Sequence, residues 1–128
     1  MTYEWDNKKP TAQMLGRWQP FHEGHYTLFK EIIKKTGQVC IQIRDVQGVD
    51  DNPFDFETVK KNIVNALKDF KERIKISLVP NITNICYGRG VGYKIEEIVL
   101  DQKTQEISAT MIRKKMREQG KLLSLIHI

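Results

Sequence analysis

Thr11-Ala12-Gln13-Met14-Leu15-Gly16-Arg17-Trp18-Gln19-Pro20-Phe21-His22-Glu23-Gly24-His25 is the stretch whose reading decides the fold. Thr11 to Leu15 makes a short strand that runs straight into Gly16. Beyond the turn, Tyr26, Phe29, Ile32 and Ile33 recur at three- and four-residue spacing, the period of a helix with one apolar face. Gly37 ends that helix, and Val39-Cys40-Ile41-Gln42-Ile43 follows as a β-rich run, buried if central in a parallel sheet. The result is a βαβ unit.

Working outward, Asp45 to Phe54 is rich in Gly, Asp, Asn and Pro and reads as a loop. Val59, Ile63, Ala66, Leu67 and Phe70 then mark one face of a second helix, with Asp55 as its N-cap. Ile74-Lys75-Ile76-Ser77-Leu78-Val79 alternates and stops at Pro80, a third strand. Asn81 to Lys94 has little period and is expected to be mostly irregular. Ile95 to Leu100 is expected to hold a short fourth strand. A third helix starts near Ser108, turns Ile112 and Met116 inward and ends at Gly120. Strands alternating with helices mean an α/β domain with a mainly parallel sheet and right-handed crossovers.

Composition narrows the classes. A chain of 128 residues, 40% apolar and 29% charged, suits one domain with one core. No apolar run approaches the roughly 20 residues of a spanning helix, and Met1 to Pro10 is too polar for a signal peptide, so neither a membrane nor secretion is expected. The formal net charge of +5 suits a protein that handles phosphates. Its basic residues lie interspersed with acids, without the block of like charge that marks a nucleic-acid arm, and no nucleic-acid partner is expected. Cys40 and Cys86 suggest neither a disulfide framework nor a zinc site, which fits a reducing cytoplasm. Leu123-Ser124-Leu125-Ile126-His127-Ile128 resembles the translation of a transposase end sequence used to tag DNA libraries. The domain is therefore taken as residues 1–122 and residues 123–128 as a read-through tail, the alternative being a genuine apolar terminus packed on the core.

In an open parallel sheet, ligands bind beyond the carboxyl ends of the strands, where the chain enters helix N-termini. The segment from Gly16 to His25 sits there. It joins a Gly that permits close backbone approach, an Arg suited to phosphate forks, and two histidines three apart at a helix start. Residues at i and i+3 share a helix face, so both imidazoles can address one bound group. A structural or surface role is the plainer reading of such a pair. Half a metal site is another, but no third His stands nearby and Glu23 would face elsewhere.

The same ten residues, Gly16 to His25, closely resemble the His-x-Gly-His motif of the cytidylyltransferase-like nucleotidyltransferase superfamily. Their Arg-x-Gln-Pro-Phe-His form is most similar to the nicotinamide-mononucleotide adenylyltransferase branch. Ile107-Ser108-Ala109-Thr110-Met111-Ile112-Arg113 resembles the superfamily's second motif, Ile-Ser-x-Thr-x-x-Arg, in the correct order. Asn52-Pro53-Phe54 also resembles that branch. Trp18 replaces the more usual Phe, and Ala109 stands where Gly or Ser is common.

The resemblance implies a Rossmann-like three-layer α/β domain that joins a nucleoside triphosphate, ATP first and CTP second, to a phosphorylated small-molecule acceptor. Pyrophosphate would leave, Mg²⁺ would assist, and a homo-oligomer stays open. It implies catalytic roles for His22, His25 and Arg113, and nucleotide contacts for Gly16, Arg17, Trp18, Gln19, Gly24, Ser108 and Thr110, with no protein metal ligand assigned. Transfer to phosphorus depends chiefly on positioning and electrostatic stabilisation, which agrees with that residue set. Cys86-Tyr87-Gly88-Arg89-Gly90-Val91-Gly92-Tyr93 matches no acceptor segment of the superfamily; its glycines could nest an acceptor phosphate, or form an ordinary loop. Asp50 and Asp51 could help hold a metal, or simply be solvated. The competing class is a nucleotide-binding module without turnover.

Overall fold

The computed structural model of the chain describes residues 3–46, 52–89, 92, 94–98, 100, 112, 114 and 118. Three strands, β1 (Ala12–Gly16), β2 (Val39–Arg44) and β3 (Ile74–Val79), form a parallel sheet in the order β1-β2-β3. Helix α1 (Glu23–Thr36) links the first pair, while α2 (Phe56–Ala66) and a 3₁₀ helix (Lys68–Arg73) link the second. This is the α/β, Rossmann-like arrangement expected.

Register explains the core. Met14 pairs with Ile41, and Ile41 with Ile76, so these residues share one face of the sheet. Val39, Ile41 and Ile43 on that face are fully buried, and they join Phe29, Ile32 and Ile33 of α1 with Val59 and Ile63 of α2 in a single cluster. Both helices therefore lie on the same side, as two successive right-handed crossovers in one direction require. On the opposite face Gln13 bonds Gln42 across the strands at 2.6 Å. The third helix expected from near Ser108 to Gly120 lies mostly outside the described residues, of which Ile112, Lys114 and Glu118 are helical.

Local rules account for the boundaries. Gly37 at φ 83° returns its N–H to Ile33 O and ends α1, a conformation that favours glycine. The Asp55 carboxylate accepts the Thr58 N–H at 2.8 Å and starts α2. Helix α2 is shorter than its sequence period suggests: it ends at Ala66, and Phe70 lies on the 3₁₀ helix, edge-on to Phe29 with ring centroids 5.2 Å apart.

The fourth strand is a correction. Residues 95–98 and 100 adopt no strand, because this segment packs beside α1 instead of extending the sheet. Glu96 pairs with Lys35 at 3.6 Å, Ile98 rests on the core, and Ile95 is 57% exposed. The described part of Asn81 to Lys94 is irregular, as expected. Cys40 is half-buried, Cys86 is exposed, and both are free thiols. Among the described residues no helix is long and apolar enough to cross a membrane.

Candidate functional site at the carboxyl end of the first strand

The turn after β1 is built around Trp18, whose backbone takes φ 54°. A non-glycine residue there is strained and needs surrounding contacts to hold it. Those contacts are present. The indole is 6% exposed, its Nε1–H donates to Gln42 O at 3.1 Å, and its ring lies over Gly16. A Cβ on Gly16 would come within 2.7 and 2.8 Å of two indole carbons, so this position requires glycine.

Gln19 is 2% exposed and works as a clamp: its amide accepts the Phe54 N–H at 2.9 Å and donates to Phe54 O at 3.0 Å. Arg17 extends from the same turn and donates to Asn52 Oδ1 at 3.3 Å. The loop before α2 is thereby fastened to the turn after β1, which gives Asn52-Pro53-Phe54 a physical role. The Gln19–Pro20 peptide bond is cis.

His22 is the N-cap of α1, and His25 is its third helical residue. The His22 Nδ1 accepts the N–H groups of Gly24 and His25 at 3.0 and 3.4 Å, and the His25 Nδ1 accepts the His22 N–H at 3.2 Å. This is a capping box made by two histidines, in which each side chain satisfies backbone donors that a helix start would leave orphaned. The rings stack with centroids 3.7 Å apart and planes 19° from parallel.

A nitrogen that accepts a hydrogen bond carries no proton, so each neutral imidazole keeps its hydrogen on Nε2. Burial holds the His22 pKa below its usual value, and burial followed by the nearby His22 charge pushes that of His25 down to about 3. At pH 7 both rings are therefore neutral Nε2–H donors. Stacked side by side at a helix N-terminus, they suit the oxygens of an anion.

The cleft beside them holds about 250 Å³ and is lined by Leu15, Gly16, Arg17, Trp18, Gln19, His25 and Leu28. One cation, the neutral His25 imidazole with His22 stacked on it, and a glycine-containing turn suit an anion. Among the described residues no group of three or more His, Cys, Asp or Glu side chains could hold a metal ion.

Of the expected site residues, the structure brings Gly16, Arg17, Trp18, Gln19, Gly24, His22 and His25 together. Gly24 is buried, with its N–H already committed to His22. Ser108, Thr110 and Arg113, together with Asp50 and Asp51, lie outside the described residues. Sequence reasoning missed Gln42, which serves through its main-chain carbonyl and so left no side-chain signal.

The fold and site define an α/β protein whose first parallel strand runs into a glycine-containing turn and a histidine-capped helix. Among curated proteins the chain is similar to the nicotinamide-nucleotide adenylyltransferase of Methanococcus aeolicus, 38% identical over 63 residues that cover 48% of this chain and 35% of the relative. It is 40% identical over 60 residues to the protein of that name from Methanolobus tindarius, covering 45% of this chain and 35% of the relative. It is also 44% identical over 36 residues to that of Methanococcus maripaludis strain C5, covering 28% of this chain and 21% of the relative. The matched stretch thus spans about a third or less of these relatives' length. No protein-family profile matches. The relatives' names agree with the adenylyltransferase branch that the Gly16 to His25 motif resembles.

Proposed function

We propose that this chain is a nucleotidyltransferase that moves the adenylyl group of ATP onto a phosphorylated small-molecule acceptor and releases pyrophosphate. The relatives' name supplies the acceptor: a nicotinamide nucleotide. One observation carries the proposal, the stacked His22 and His25 pair whose Nδ1 atoms are tied to backbone, leaving an Nε2–H donor on each ring, with His25 lining the same cleft as Arg17.

In the reaction an acceptor phosphate oxygen bonds to the α-phosphorus, and the bond from that phosphorus to the bridging oxygen of the β-phosphate breaks. Pyrophosphate leaves with the electron pair. Negative charge moves onto the non-bridging and leaving oxygens, and fixed N–H donors meet it without reorganisation. Arg17 holds a phosphate through charge-assisted bonds and draws its orientation from Asn52. Ser108 and Thr110 would bind the β- and γ-phosphates, and Arg113 would lie one turn further on. Mg²⁺ would accompany the triphosphate, neutralising charge while held mainly by phosphate oxygens and water. The proposed setting is the cytoplasm.

The test is pyrophosphate release across the four nucleoside triphosphates, each with nicotinamide mononucleotide and with other phosphorylated acceptors, in the presence of Mg²⁺. The proposal expects release with ATP and nicotinamide mononucleotide. Release with CTP alone would move the chain to cytidylyl transfer, and nucleotide binding without release from any pair would make it a binding module.

A further inference from the structure

The histidine pair is held at Nδ1 by backbone donors, two for His22 and one for His25, and a single hydrogen bond does not fix the tilt of the His25 imidazole. Something must fix it. His25 has His22 stacked on it at 3.7 Å, and it meets the Trp18 indole edge-on, with centroids 4.7 Å apart and planes at 89°. Phe21 completes the enclosure, tilted against both Trp18 at 5.6 Å and His25 at 5.4 Å.

Trp18 is the best anchored member of this group. Its backbone is strained at φ 54°, its ring packs on Gly16 where a Cβ would press into the indole, and its Nε1–H reaches across to Gln42 O on β2. Strain of this kind persists only where the surroundings over-determine it. The indole bond links the turn to β2, which lies between β1 and β3. Phenylalanine, the more usual residue at this position by resemblance, has no N–H and cannot make that bond.

We propose that Trp18 is a positioning residue: anchored to β2 through its indole N–H, it sets the orientation of His25, and through the stack that of His22, toward the transferring phosphoryl group. This rests on the functional reading above. A residue acting this way affects the rate of transfer more than the affinity for the triphosphate, because oriented donors matter most where charge develops.

The experiment compares Trp18→Phe and Trp18→Leu with the wild type by three measurements: kcat with ATP and nicotinamide mononucleotide, equilibrium affinity for ATP, and the imidazole proton-nitrogen NMR signals of His25. Trp18→Phe keeps an aromatic ring but removes the N–H together with one ring of the indole, so kcat should fall at least about fivefold, the worth of one neutral hydrogen bond. Trp18→Leu should lower kcat roughly 10²-fold, as losing a preorganised donor does. In both, the affinity for ATP should stay within about twofold. The Nε2–H signal of His25 should be exchange-protected in the wild type and lost in Trp18→Leu, with Trp18→Phe between them.

An unchanged His25 signal in Trp18→Leu would overturn the proposal, as would kcat and ATP affinity falling together in proportion to unfolded protein. If Trp18→Leu does not fold, Trp18→Phe decides alone, and wild-type kcat in it overturns the indole anchor. A wild type that turns over no ATP would refute the functional reading. The NMR comparison would still judge the positioning role on its own.

Discussion

Replacing His25 by Gln should make the protein less sensitive to mild acid. In the folded chain His25 takes up a proton only near pH 3, whereas in the unfolded chain it does so at the ordinary value of 6.5. Between those values the unfolded state binds more protons, so stability is fully present above about pH 6.5 and is lost as pH falls toward 3. Linkage limits the loss to ~1.4 kcal/mol per pH unit, and integration from pH 7 to pH 5 gives about 2 kcal/mol for this one group. Burial displaces His22 in the same direction, and its share is present in both proteins.

Gln is the right replacement because a Gln at the third helical position can reach back to the N-cap N–H and keep the capping box without titrating. The Asp55 carboxyl, held below its usual value by its bonds from Thr58, titrates under this window and does not interfere. Urea unfolding at pH 7, 6 and 5 measures both proteins. The wild type should lose about 2 kcal/mol more than His25→Gln between pH 7 and 5. Parallel pH dependence in the two would refute the assignment of a buried, neutral imidazole.

Two further outcomes follow from the geometry and a third from the motif resemblance of Arg113. Gly16→Ala should cost about 1 to 3 kcal/mol in urea unfolding and displace the Trp18 ring, visible as a shifted emission in a Trp5→Phe background, because its new methyl meets the indole. Gln19→Leu should cost roughly 2 to 4 kcal/mol by the same assay, since it leaves the Phe54 N–H and C=O without their side-chain partner. Arg113→Ala should weaken ATP binding most at low salt, where a charge-assisted phosphate contact is least screened; isothermal titration at two ionic strengths checks it.

Much of the architecture was legible because it follows from periodicity and chain breakers. Gly37 and Pro80 closed α1 and β3 where the hydrophobic pattern ended, and Asp55 announced α2. The fourth strand misled because Ile95 and Ile98 are three apart, not two, and Glu96 found Lys35 on α1. The site residues around His22 were legible from their types, but their arrangement was not. The His-x-x-His spacing is also that of a capping box, yet histidine is not among the favoured N-cap residues, so sequence placed both rings on one face at the helix start without showing that they cap it. A left-handed tryptophan breaks a steric preference, and the bonds to Gln42 O and Phe54 use main-chain atoms, which side-chain identity does not reveal.

The central claim is that two neutral imidazoles, fixed by their own helix start, stabilise the charge of adenylyl transfer. Pyrophosphate release from ATP and nicotinamide mononucleotide by the His22→Ala, His25→Ala double variant tests it most directly, with folding checked by melting and ATP affinity measured alongside. The account predicts a folded protein that binds ATP nearly as well as the wild type while turnover falls by roughly 10² or more. Wild-type turnover in that folded variant would contradict it.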